Sequence, residues 1–159
     1  QSFGKRTNPR KHGPRHIWPE CCRVQWLRDL CERLRVPNEA RDLALRVARY
    51  HGDVHRAIEL RPATIAGMLQ AVDAYRKPER FEEFLQACAC DFHGRPGYAE
   101  KPYPQAERLR EAFSAARSVD AGAIAAELTR TISDPARLPT AISARVREAR
   151  ISEIKIRLA

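Results

Sequence analysis

The sequence predicts an all-α protein, an irregular bundle of seven or eight helices with no sheet. Three observations carry that expectation. From Trp18 almost to the last residue, apolar side chains recur at three- and four-residue spacing, the period of a helix with one buried face. Prolines stand at the heads of these runs, at Pro19, Pro62, Pro78 and Pro104, where a missing N–H and a preset φ suit the first helical turn. No segment alternates apolar and polar residues as a half-buried strand must, and no repeat of fixed period occurs. With 159 residues, 43% of them apolar and 31% charged, the chain suffices for one ordinary domain or two very small ones.

Taken in order, Pro19 opens a first helix with Val24, Leu27, Leu30, Cys31 and Leu34 on one face, and Val36-Pro37 stops it. Pro37 or Asn38 opens a second, with Leu43, Ala44, Val47, Ala48 and His51 turned inward, and Gly52 marks its expected end. A short helical turn covers Asp53 to Glu59. Pro62 starts a third helix that buries Ile65, Met68, Leu69 and Val72. After the break at Arg76-Lys77-Pro78, a fourth runs to about Phe92 with Phe81, Phe84, Leu85, Cys88 and Phe92 as its core stripe. Its acids Glu79, Glu82 and Glu83 crowd the first turns, where the helix dipole favours negative charge. His93 to Tyr103, with two glycines and two prolines, reads as an ordered surface loop because it also carries Tyr98 and Tyr103. Pro104 to Ser118 forms a helix that buries Leu109, Ala112, Phe113 and Ala116. Asp120 caps an Ala-rich helix to about Arg130, and Thr140 is the expected cap of the last, whose stripe is Ile142, Val146, Ala149 and Ile154.

The chain carries 29 basic and 20 acidic residues, a net charge of +9. Residues 1–19 contain Lys5, Arg6, Arg10, Lys11 and Arg15 and no acid. Residues 137–159 contain Arg137, Arg145, Arg147, Arg150, Lys155 and Arg157 against Glu148 and Glu153, and the stretch between is neutral. Excess positive charge at both ends is the pattern expected of ends that meet a polyanion such as RNA. The competing reading leaves Arg145, Arg147 and Arg150 solvated, or paired with Glu148 and Glu153.

Five cysteines, Cys21, Cys22, Cys31, Cys88 and Cys90, are an odd number without a C-x-x-C, which argues against a disulfide framework or a zinc knuckle. They read as small buried hydrophobes in a reducing compartment. No run of eighteen apolar residues suggests a membrane span. The chain starts at Gln1 and its first sixteen residues lack an apolar stretch, so no signal peptide is expected within it; it reads as a processed or subcloned piece of something longer.

No phosphate-cradling glycine loop, nucleophile elbow or H-E-x-x-H helix is present. The histidines are His12, His16, His51, His55 and His93. His51 and His55 lie four apart and could face one side of a helix as a metal pair, but Gly52 and Asp53 between them equally suit a helix end. At and within the loop, Asp91, Arg95 and Tyr98 suit either contact with RNA or a structural role in which a buried Asp91–Arg95 ion pair fastens the loop to the bundle.

Several long runs carry a family resemblance. Arg33-Leu34-Arg35-Val36-Pro37-Asn38-Glu39-Ala40-Arg41-Asp42-Leu43-Ala44 followed by His51, then Leu60-Arg61-Pro62-Ala63-Thr64-Ile65, then Asp73-Ala74-Tyr75-Arg76-Lys77-Pro78-Glu79-Arg80-Phe81, resemble the C-terminal part of bacterial CCA-adding tRNA nucleotidyltransferases. Asp91-Phe92-His93-Gly94-Arg95-Pro96-Gly97-Tyr98 and Tyr103-Pro104-Gln105-Ala106 fall where that family has D-x-x-G-R-x-G-[FY] and Y-P-Q-[AG]. The stretch Ala144 to Ile154 resembles its basic ending. The likeness is to the multifunctional CCA proteins, whose C-terminal half contains an HD domain, and it spans nearly the whole chain.

The resemblance implies an HD-like helical module that follows a nucleotidyltransferase head, helps hold tRNA, and belongs in the cytoplasm. CTP and ATP would be partners only through the head, so the chain alone would not add nucleotides. Complete members are expected to use magnesium or nickel for phosphohydrolase chemistry on 2′,3′-cyclic and 2′-phosphates. Here the departures matter. The family's His-Asp pair precedes a Phe-Gly-Lys or Leu-Gly-Lys; Phe3-Gly4-Lys5 is present, but Gln1-Ser2 stand ahead of it. The family's R-H-x-G-H-E aligns with Arg15-His16-Ile17-Trp18-Pro19-Glu20, where Trp18 and Pro19 replace a glycine and a histidine. His51 matches the later histidine, which leaves an incomplete metal site and weak metal binding as the expectation. Two further readings stand beside RNA binding: an HD-type phosphohydrolase built on His51, and a helical self-association module that forms a homodimer. The expected organisation is a basic segment at residues 1–19, a degenerate HD-motif region or a cloning junction, followed by the helical region 20–159.

Overall fold

The computed structural model describes the backbone of residues 20–159 and the side chains from residue 24 onward. Seven α-helices and no strand occur among the described residues, as the apolar spacing predicts: α1 (Glu20–Arg33), α2 (Asn38–His55), α3 (Pro62–Ala71), α4 (Pro78–His93), α5 (Pro104–Arg117), α6 (Ala121–Thr131) and α7 (Leu138–Leu158). Four of them, α3, α4, α5 and α7, carry proline in the first two helical positions and make no side-chain cap hydrogen bond. Proline removes one of the orphan N–H groups that a cap would otherwise satisfy, so these starts need less help. The α6 start has no proline and uses the expected cap instead: Asp120 Oδ1 accepts from the Ala123 N–H at 2.9 Å.

The core lies where α2, α3, α4, α5 and α7 converge. Phe81, Phe84 and Leu85 of α4, Ile65 and Leu69 of α3, Leu109 of α5 and Ile154 of α7 are fully buried. α7 packs along α5, α3 and α6, while α1 rests on α2 and α2 on α4. Phe113 extends the core through an aromatic contact with Phe81 at 4.9 Å between ring centroids. Cys31 and Cys88 are buried as small hydrophobes, whereas Cys90 is exposed because its position on α4 points away from the core stripe.

Two boundaries and the burial of one residue differ from those read in the sequence. Helix α2 continues through the exposed Gly52 to His55 and the expected separate turn over Asp53 to Glu59 does not form as a helix; i→i+3 bonds such as Ala57 N to Val54 O instead round off the end of α2. A mid-helix glycine costs about 1 kcal/mol, and the complete burial of Val54 two residues on offsets it. Thr140 does not cap α7. The helix begins at Leu138 because Pro139 suits its first turn, which leaves Thr140 inside. Phe92 is half-buried rather than core, edge to face with Tyr98 and tilted against Tyr103 at the edge of the bundle.

Two helices end on left-handed residues that are not glycine: Arg35 (φ 52°) after α1 and Asp73 (φ 60°) after α3. At each, the next N–H reaches back into the last turn, Val36 N to Cys31 O at 2.9 Å and Ala74 N to Leu69 O at 3.0 Å, the bond pattern of a Schellman end. The chain then turns sharply and delivers the fully buried Ala74, followed by Tyr75, against α7.

Candidate functional site

The continuation of α2 sets His55 one turn beyond His51, with the two rings edge to face at 5.8 Å. His51 Nδ1–H donates to the Val47 carbonyl at 2.9 Å, which leaves Nε2 as the ring's acceptor. His55 is held from three directions. Its Nδ1 lies 2.8 Å from the Tyr103 hydroxyl, its Nε2 2.9 Å from Asp91 Oδ2, and its carbonyl accepts from Gln105 Nε2 at 3.2 Å. Burial pushes the Tyr103 hydroxyl above the usual tyrosine range, with Cys88 and Asp91 adding to the effect. It therefore stays protonated and donates to Nδ1, and Nε2–H donates to Asp91.

Arg95 brings a second donor to Asp91 Oδ2 at 2.9 Å. The hydrogen bond from His55, then those of Arg95, holds the Asp91 carboxyl below its ordinary range against the opposing effect of burial. The Asp91–Arg95 pair does fasten the loop, but it is not the buried pair expected: both side chains are about half exposed, 47% and 48%. Because α4 ends at His93, Asp91 and Arg95 sit at the rim, one turn apart, rather than beneath the loop. Sequence reasoning missed Tyr103 and Gln105 as partners of His55. The signal was there in Tyr103-Pro104-Gln105, where proline opens α5 and fixes both neighbours toward the end of α2.

A divalent ion implied by the resemblance finds no fit among the described residues. No group of three or more His, Cys, Asp or Glu able to hold a metal occurs among them, and both ring nitrogens of His55 are engaged. His51 offers Nε2 alone. His16 and the Gln1-Ser2 junction lie outside the described residues.

The basic residues fall into two groups. Lys5, Arg6, Arg10, Lys11 and Arg15 lie outside the described residues. On α7, Arg145 pairs with Glu148 at 3.7 Å, with both side chains more than 60% exposed, a geometry worth little in water. Arg147 is exposed and forms no ion pair among the described residues. Arg150 is half-buried, its guanidinium 3.7 Å over the Tyr75 ring, and it too has no carboxylate partner among them. The last helix thus carries positive charge that the rest of the described bundle leaves largely uncompensated.

The described residues define an all-helical fold with a basic final helix and a polar cluster around His55 that ties the ends of α2, α4 and α5 together. Comparison with known proteins shows what the chain is similar to. Over 156 residues the chain is 71% identical to the multifunctional CCA protein of Nitrosospira multiformis, a match covering 98% of the chain and 38% of that protein. It is 61% identical over 153 residues to the one from Nitrosomonas eutropha, and 55% identical over 146 residues to the one from Burkholderia mallei. The chain is a relative of the multifunctional CCA proteins and spans little more than a third of the length of those it matches. Neither a protein-family model nor a solved structure matches it.

Proposed function

We propose that the chain is the C-terminal, HD-like helical part of a tRNA CCA nucleotidyltransferase, contributing tRNA binding and architecture to addition or repair of the 3′-CCA end. The observation that carries this reading is the 71% identity over nearly the whole chain to a multifunctional CCA protein. The charge on α7 supplies the physical means, since neutralising phosphates with arginine releases counterions from the RNA. CTP and ATP would be handled by a head domain, and tRNA by both parts. A cytoplasmic location goes with that role, and no described helix is long and apolar enough to cross a membrane.

A titration of the chain against deacylated tRNA at rising salt tests the proposal. Binding at low ionic strength that falls linearly on a log–log plot is expected, with an affinity in the range of about 10⁻⁴ to 10⁻⁶ M near physiological salt. Absence of binding even at low salt would overturn it. His51, with Nε2 open, is what the described residues offer an HD-type phosphohydrolase. Assay of 2′,3′-cyclic nucleotide hydrolysis with added nickel or magnesium is expected to show no turnover by this chain, and turnover would replace the binding reading with an enzymatic one.

A further inference from the structure

Between α3 and α7 lies a cleft of about 550 Å³. Gly67, Gln70 and Tyr75 border it on one side, Ser143, Arg147 and Arg150 on the other, over apolar side chains that include Val146. We infer that this cleft seats a single nucleotide unit of a bound RNA strand, with its phosphate held between Arg147 and Arg150. The inference rests on the tRNA-binding reading above and specifies where on the bundle it operates.

Four features lead there. The volume lies within the roughly 300–1,000 Å³ of small-ligand sites, so one nucleotide is the scale that fits. Among the described residues no carboxylate borders the cleft and neither arginine has an ion-pair partner, so the positive charge is available to an incoming anion. The two arginines are three apart on α7 and share a face. Arg150 is already fixed: stacked 3.7 Å over Tyr75, its planar fork gives up little freedom on binding, and planar forks match phosphate oxygens two at a time.

The remaining walls suit the rest of a nucleotide. Ser143 and Gln70 offer hydrogen bonds at the ribose, whose hydroxyls distinguish RNA, and Val146 with its apolar neighbours gives a face for the base. Tyr75 Oη and Arg150 Nε have no hydrogen-bond partner among the described residues. Gly67 keeps the α3 side open, because a Cβ built there meets no atom within 4 Å.

The test is fluorescence anisotropy of the full chain with labelled deacylated tRNA at several salt concentrations, alongside circular dichroism of each variant to confirm folding. Arg147→Gln and Arg150→Gln should each weaken binding by about five- to tenfold at low salt and reduce the salt slope by about one. Gly67→Leu, which fills the cleft without changing charge, should weaken binding while helical content is retained. Arg130→Gln, exposed on α6, should bind as the parent does. Since Arg150→Gln could disturb the Tyr75 stack, Arg147→Gln and Gly67→Leu decide the matter if it unfolds. Parent chain that binds tRNA while both of these bind equally well would overturn the cleft and leave the tRNA role standing. Parent chain that binds no tRNA would overturn both. Displacement of tRNA by micromolar CMP would show a pocket for free nucleotide and overturn the strand assignment.

Discussion

At the corner where α2, α4 and α5 meet, His55 makes more directed bonds than its neighbours, and they are unequal in worth. The Tyr103 hydroxyl is half-buried, so removing it with Tyr103→Phe leaves His55 Nδ1 without a donor and is expected to cost about 1 kcal/mol. Arg95→Ala removes a half-exposed i,i+4 pair and is expected to cost no more than about 0.5 kcal/mol. Urea unfolding of the two variants checks the order, and a larger loss for Arg95→Ala would show the loop to depend on charge rather than on the tyrosine. Asp91 and Glu82 both have carboxyls held below their ordinary range, Asp91 chiefly by His55 and Glu82 chiefly by Arg110. The unfolded chain therefore binds more protons than the folded one in the acid region. Stability from these groups is present above about pH 4 and lost as pH falls through the lowered folded values. Thermal melts should be flat from neutrality to about pH 5 and decline below, and Asp91→Asn should shallow that decline.

Among the helices, the mode of starting decides what a substitution does. Of the helix starts that are described, those of α2 to α7, that of α6 alone is on a side-chain cap, so Asp120→Ala is expected to destabilise by about 1 kcal/mol. Gly67→Ala on α3 is expected to add roughly 0.5–1 kcal/mol, since its Cβ meets open space and alanine favours the helix. Chemical denaturation measures both. Elements were the most legible part of the sequence. Pro62, Pro78 and Pro104 announced their helices, and Ile65, Leu69, Phe84 and Leu109 their buried faces, because proline geometry and a 3.6-residue period act locally. The ends of α2 and α7 were less legible. Gly52 and Thr140 carry local preferences for an end and a start, and tertiary packing of Val54 and the position of Pro139 overrode them. The His55 cluster was half legible: Asp91 and Arg95 were visible four apart, while Tyr103, 48 residues from His55, became a partner only through folding.

Among the described residues, uncompensated positive charge gathers on α7, while the buried rings Phe81 and Phe84 lie on α4. Phe84 is fully buried in the middle of α4, and Phe84→Ala should cost about 3–5 kcal/mol, enough to unfold a large share of molecules in a bundle of ordinary stability. The RNA contact proposed for α7 should tolerate the milder of the surface substitutions and answer instead to salt. Self-association is a separate property of the whole. Sedimentation of the chain with and without tRNA should show whether one copy or two engages the nucleic acid; a dimer present before RNA is added would support the self-association reading. The charge partition that suggested RNA was legible because it needs only counting. The cleft was not, since Gly67, Tyr75 and Arg147 come from separate stretches and meet only when α3 lies on α7.

Asp73 holds a backbone twist that most side chains resist, and the ring two residues later owes its aim to that twist. A glycine at this position would relieve the discomfort of the bend while giving the following segment more freedom to wander in the unfolded ensemble. Relief of strain and the added chain entropy would then act on heat tolerance in opposite directions, while in the folded state the same bend still carries the Tyr75 ring to its place under the Arg150 guanidinium.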